Sequence, residues 1–180
     1  MGAVLYETTD APPRVFAARP SKQFLKALLP RQKQIVALEL VTVLVAYTTW
    51  RPHLRGKPFQ LYIDNDAANR ALTTGFSSRS DLARLAGLWW LIMARDGAAP
   101  WLWRVPSAVN PADYPTRPKE GWRLLGALHR YRKEEARPDW EGLIEALKAD
   151  TLPEAAVALG GDLIKPYVDK EEGEGQPLHP

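Results

Sequence analysis

Residues 59–72 read Phe59-Gln-Leu-Tyr-Ile-Asp64-Asn65-Asp66-Ala-Ala-Asn-Arg-Ala-Leu72. The first five alternate apolar and polar and include Tyr and Ile, which is the pattern of a short strand. The strand runs straight into Asp-Asn-Asp, and Ala67–Leu72 then has helical composition. A carboxylate at the carboxyl end of a strand stands where open α/β sheets place their ligands.

The segments on either side fit the same class. Upstream, 32–50 (QKQIVALELVTVLVAYTTW) is the longest apolar stretch. It is too long for a strand, so it is expected to be a buried helix, opened after Pro30 and ended before Pro52. Further upstream, GAVLYE (2–7) and RVFAA (14–18) flank a Thr/Asp/Pro turn and are expected to pair as a hairpin, followed by a short FLKALL helix. Downstream, Ser80 is placed to cap a helix over 81–95 that ends at Gly97, with Asp81 at its positive end. WLWRV (101–105) is a strand whose Trp101 and Trp103 share a face, and that face is expected to be buried. Residues 106–118 form a turn-rich loop. Residues 120–135 and 139–149 are expected to be helical. The order hairpin, helix, strand, helices, strand gives an α/β class with a mixed sheet.

The chain has 180 residues and no cysteine, which excludes a disulfide scaffold and a Cys-ligated zinc site. Three histidines make a His-built metal site a poor expectation. There is no signal-peptide pattern and no uncharged apolar run of membrane-spanning length, so an intracellular protein with no membrane contact is expected. The net charge of +3 is unevenly spread: residues 1–118 carry +7 and residues 119–180 carry −4. An Arg-rich body suits a polyanion, and equally a plain solvated surface. The division expected is a domain over 1–118, a helical extension over 119–168 and a disordered acidic tail over 169–180.

Three carboxylates carry the chemistry. Glu39 is the only charge between Lys33 and Arg51, inside IVALELVTVLVAY. A carboxylate in such surroundings must be paired, protonated or bound to a metal. Asp64 ends the strand, and Asp113 lies in Asn110-Pro-Ala-Asp113. Each Asp could instead cap a turn, a role that Asp66 also suits.

Taken in order, GAVLYE, RQKQIVALEL, FQLYIDNDAANRAL, SSRSDLARLAGLWWLIMARDG and WLWRVPSAVNPADYPTR resemble the ribonuclease H domain associated with reverse transcriptase in retroelements. The match covers roughly residues 2–117 and looks most like tyrosine-recombinase retrotransposons. The resemblance implies an RNase H-like mixed sheet flanked by helices, with two Mg²⁺ (or Mn²⁺) held by four carboxylates. Glu39, Asp64 and Asp113 take three of those places as catalytic and metal-binding residues. Asn65, Arg79 and Asn110 are candidate contacts to substrate. The implied substrate is the RNA strand of an RNA–DNA hybrid, or another nucleic acid, and the implied partner is a reverse transcriptase domain.

The family's first strand, with its Asp, has no counterpart before Gly2. This implies an N-terminally truncated copy and two unpaired strand edges inside the sheet. Two alternatives are that Gly2–Glu7 pairs directly with Phe59–Ile63, or that a segment such as Ala155–Leu159 fills the gap and brings in Asp162. With three of four ligands, cleavage should be weak or absent. The competing function is therefore a catalytically dead RNase H-like module that binds nucleic acid or serves structure. A third is an unrelated small α/β binding protein whose carboxylates cap turns.

Overall fold

The structure is a computed structural model. It describes residues 1–154 apart from Thr9, Pro118, His129, Arg137 and Pro153. The expected acidic tail and the segment Ala155–Leu159 with Asp162 lie outside the described residues.

The chain opens with strands β1 (Gly2–Leu5) and β2 (Arg14–Ala17), which pair antiparallel as the expected hairpin. Helix α1 (Lys22–Ala27) follows, capped by Ser21, whose side chain accepts a hydrogen bond from the Phe24 N–H. Helix α2 (Ile35–Leu54) is the central element. Strand β3 (Pro58–Ile63), helix α3 (Asp66–Thr74), helix α4 (Ser80–Asp96) and strand β4 (Ala99–Arg104) come next. Two 3-10 turns, Ser107–Val109 and Pro111–Thr116, lead to α5 (Glu120–Leu128), a short β5 (Arg132–Lys133) and α6 (Trp140–Lys148). The molecule is a mixed α/β structure in which small sheets are flanked by helices.

The sheet is in two pieces. One has the order β1-β2-β5, with β5 parallel to β2; the other is the parallel pair β3-β4. Among the described residues β1 and β3 are both edge strands. The alternative of direct pairing between Gly2–Glu7 and Phe59–Ile63 is not what forms, because among the described residues β1 pairs with β2 and β3 pairs with β4.

Helix α2 breaks at Trp50, whose backbone is non-helical, as expected of a helix ending before Pro52; a second helical segment that contains Pro52 continues to Leu54. Two polar contacts hold that region: Trp50 Nε1 donates to Glu134 at 2.6 Å, and Glu134 also pairs with Arg14 on β2. Glu134 lies just after β5, in the stretch 120–135 expected to be all helix. β2 offers a free edge there, and Arg132–Lys133 pair with it. By length and composition α2 is also a candidate membrane span, but half of the span is buried inside the protein.

The core forms around α2. Tyr47 stacks on Phe59 at 6.1 Å and meets the edge of Trp89 at 5.7 Å. Phe59, Leu61 and Ile63 turn one side of β3 toward this core, while Gln60 and Tyr62 turn outward. Helix α6 joins the same core through Leu143 and Ala146, and its Trp140 packs on Phe24 at 5.1 Å. Residues 140–148 are thus built into the body formed by residues 1–117.

Candidate active site

Three elements carry the three acids. Glu39 lies one turn into α2, and its side chain is partly buried. Asp64 follows the last residue of β3, at the point where the chain turns into α3. Asp113 sits in the 3-10 turn Pro111–Thr116. That turn packs on the start of β1 at Gly2. A Cβ on Gly2 would stand 2.8 Å from the Ala112 carbonyl and 2.7 Å from Thr116 Cγ2, so only glycine allows this approach.

The electrostatics show that the three acids share a field. Burial pushes the Glu39 carboxyl up from 4.5 to about 7, and the charges of Asp64 and Asp113 push it the same way. The Met1 ammonium opposes them. That ammonium donates to the Ala18 carbonyl at 3.1 Å, and its own pKa is lowered by burial despite the attraction of Glu39. Asp113 has a partial counter-charge in Arg117 at 3.5 Å. Near pH 7, then, Glu39 is divided between its protonated and ionised forms.

The donor set consists of hard carboxylate oxygens, the chemistry that Mg²⁺ and Mn²⁺ accept. Among the described residues, however, no three Asp, Glu, His or Cys side chains stand close enough together to hold one ion. The acids are coupled by charge without forming a closed cage.

The expected substrate contacts divide. Asn65 caps α3, its side-chain oxygen accepting from the Ala68 N–H at 3.0 Å. Asn110 does the same for the 3-10 turn, accepting from the Ala112 N–H at 3.1 Å. Both therefore set the local backbone next to an acid. Arg79 is exposed at the start of α4, and no hydrogen bond or ion pair joins it to the three acids. Ser80 was expected to cap α4, but the cap position falls on Arg79 and Ser80 is the first helical residue. Asp66 is likewise inside α3, paired with Arg104; the cap is Asn65.

Two further corrections concern surfaces and ion pairs. Trp101 and Trp103 do share a face, but it is open: they are 65% and 50% exposed, beside Tyr62 at 56%. The burying side of β4 belongs to Leu102, because β3 and β4 turn only Phe59, Leu61, Ile63 and Leu102 toward the helices. Sequence inspection also missed the most enclosed acid, Asp96. It accepts from Tyr47 at 2.9 Å, from Arg51 at 2.6 and 2.8 Å, and from Arg95 at 2.9 Å. Burial raises its pKa, and the hydrogen bonds from Arg51, Arg95 and Tyr47 outweigh that and hold it below the usual carboxylate range. One signal was available: an Asp in the last turn of a helix opposes the helix dipole and needs a cation nearby. Asp81 is similar, being buried against Arg31 and accepting the Leu29 N–H at 3.1 Å.

No family model, curated protein or solved structure matches this chain.

Proposed function

We propose that this protein is an RNase H-like nuclease domain of a retroelement that hydrolyses the RNA strand of RNA–DNA hybrids. One observation carries the proposal: Glu39 on α2 is pushed up to about 7, chiefly by burial and further by the charges of Asp64 at the end of β3 and Asp113 in the 3-10 turn after β4. These are the acids that the sequence motifs single out. On this reading Glu39, Asp64 and Asp113 would hold Mg²⁺ or Mn²⁺ only after closing up from the positions they occupy here. When bound, a pair of such ions activates a water and stabilises the leaving oxygen of a phosphodiester.

The remaining roles belong to side chains already placed. Asn65 and Asn110 fix the backbone that presents Asp64 and Asp113. The Arg-rich body supplies a sequence-independent attraction for the phosphate backbone. The protein would work inside the cell beside a reverse transcriptase domain.

A second reading is favoured by a different observation. The described residues hold no ready three-ligand cluster, which suits a catalytically silent module that binds nucleic acid. Cleavage of a labelled RNA–DNA hybrid in Mg²⁺ or Mn²⁺ separates the two. Metal-dependent loss of the RNA strand, abolished by Asp64→Asn, supports the nuclease. Binding of the hybrid by folded protein without cleavage supports the silent module.

A further inference from the structure

Residues 119–180 are acidic as a whole, but the charge is divided within them: residues 119–133 carry +4 and residues 134–180 carry −8. With Arg117, the stretch through β5 holds six cations, Arg117, Lys119, Arg123, Arg130, Arg132 and Lys133, against Glu120 alone. All six are exposed. Arg117 lies 3.5 Å from Asp113; among the described residues no ion pair joins the other five to a carboxylate. Of the acids that follow, Glu134 is engaged by Arg14 and Trp50, and Glu135 is exposed.

These cations stand on a fixed unit. Gly121 lets α5 lie directly on the Pro111–Thr116 turn, since a Cβ there would collide with the Tyr114 carbonyl. Tyr131 packs on the Trp122 ring at 5.5 Å, and the Lys133 ammonium sits 4.8 Å from the centre of that ring. The Arg132 and Glu134 N–H groups donate to the Pro13 and Val15 carbonyls, both at 2.8 Å, and so tie β5 to β2. The basic stretch therefore begins beside Asp113 and ends on the outer edge of the hairpin sheet.

We propose that the α5–β5 unit is a binding surface for the phosphate backbone of a nucleic-acid strand, separate from the three acids and outside the residues that carry the RNase H resemblance. Four of the six cations are arginines, whose forks match phosphate oxygens. Trp122 and Tyr131 are occupied with one another and with Lys133, so the surface reads charge and not base identity. Residues 155–180 are the competing occupant within the chain, but with five acids and two lysines they carry only −3. A nucleic-acid strand brings charge along its whole length. It is also the ligand proposed for the acids beside which the patch begins. The inference rests on that ligand being nucleic acid, and not on its being cleaved.

A fluorescently labelled RNA–DNA hybrid, titrated with the 180-residue chain in EDTA and followed by anisotropy, tests binding apart from cleavage. Arg123→Gln with Arg132→Gln removes two exposed charges. It should weaken binding at least about tenfold and lower the slope of log K against log salt by about two. Lys22→Gln with Lys26→Gln removes the same charge from α1 and should leave affinity within about twofold. Circular dichroism checks that both variants are folded. The inference is overturned if the hybrid does not bind, if the two double variants bind it alike, or if anionic phosphatidylserine vesicles bind the chain and the hybrid does not. It is also overturned if replacing Glu171, Glu172 and Glu174 by Gln tightens binding more than about tenfold, which would put the chain's own acids on the patch. Mg²⁺-dependent cleavage with unchanged affinity in the arginine variant would sink this inference alone. Arginine-dependent binding with no cleavage in Mg²⁺ would sustain it and sink the nuclease reading.

Discussion

Replacing Glu39 by Gln should make the metal-free protein more stable, and increasingly so as pH rises. Folding carries this carboxyl from 4.5 to about 7. Below about 4.5 it is protonated in both the folded and unfolded chain, and folding costs nothing on its account. Between 4.5 and 7 the unfolded chain ionises first, so stability falls with pH; above about 7 the full cost is present. At about 1.36 kcal/mol per pH unit that cost is near 3 kcal/mol. Part of the side chain is open to water, which lowers the figure to about 2 kcal/mol. Urea unfolding in EDTA, followed by tryptophan fluorescence, measures it. Glu39→Gln should gain about 2 kcal/mol at pH 8.5 and less than about 1 kcal/mol at pH 5. Added Mg²⁺ should then stabilise the wild type at pH 8.5 and leave the variant unchanged. A variant less stable than wild type at pH 8.5, or a gain equal at both pH values, would refute the reasoning.

Other expectations follow from single contacts. Asp96→Asn leaves Arg51 and Arg95 facing an uncharged group and should cost about 3 kcal/mol in a urea melt at pH 7. Because folding lowers the Asp96 pKa, its contribution is present above the unfolded carboxylate range and fades as pH falls through the folded value; the wild type should lose this increment on acidification and the variant should not. Asn65→Ala removes the α3 cap and should cost about 1 kcal/mol, whereas Ser80→Ala should change thermal stability very little. Trp101→Ala should alter stability by no more than about 0.5 kcal/mol, since the ring is exposed, and a larger loss would show that this face is covered.

Much of the fold is legible because local signals agree with tertiary demand. The hairpin around Thr8–Pro13, the strand ending at Asp64 and the glycine stop at Gly97 are each written by turn chemistry or alternation within a few residues. The segment after the Trp50 break is not: Pro52 marks the stop, but a second helical piece through Leu54 follows it, and Glu134, far along the chain, accepts from Trp50 at the break. β5 is illegible for the same reason, since two residues become a strand only because β2 presents an edge. The outward face of Trp101 and Trp103 follows from which side of β4 meets the helices, and alternation alone is symmetric between the two sides. Within the candidate site, Glu39 announces itself as a lone charge in an apolar helix. Its coupling to Asp113 depends on a tertiary contact that is not written locally, the 3-10 turn settling on β1 at Gly2.

The central claim is that Glu39, Asp64 and Asp113 act as one cation site, and Mn²⁺ binding followed by electron paramagnetic resonance at pH 7.5 tests it most directly. The expected result is saturable Mn²⁺ binding that competes with Mg²⁺ and is weakened at least tenfold by each of Glu39→Gln, Asp64→Asn and Asp113→Asn in folded protein. Binding that is absent, or that survives all three substitutions unchanged, would contradict it.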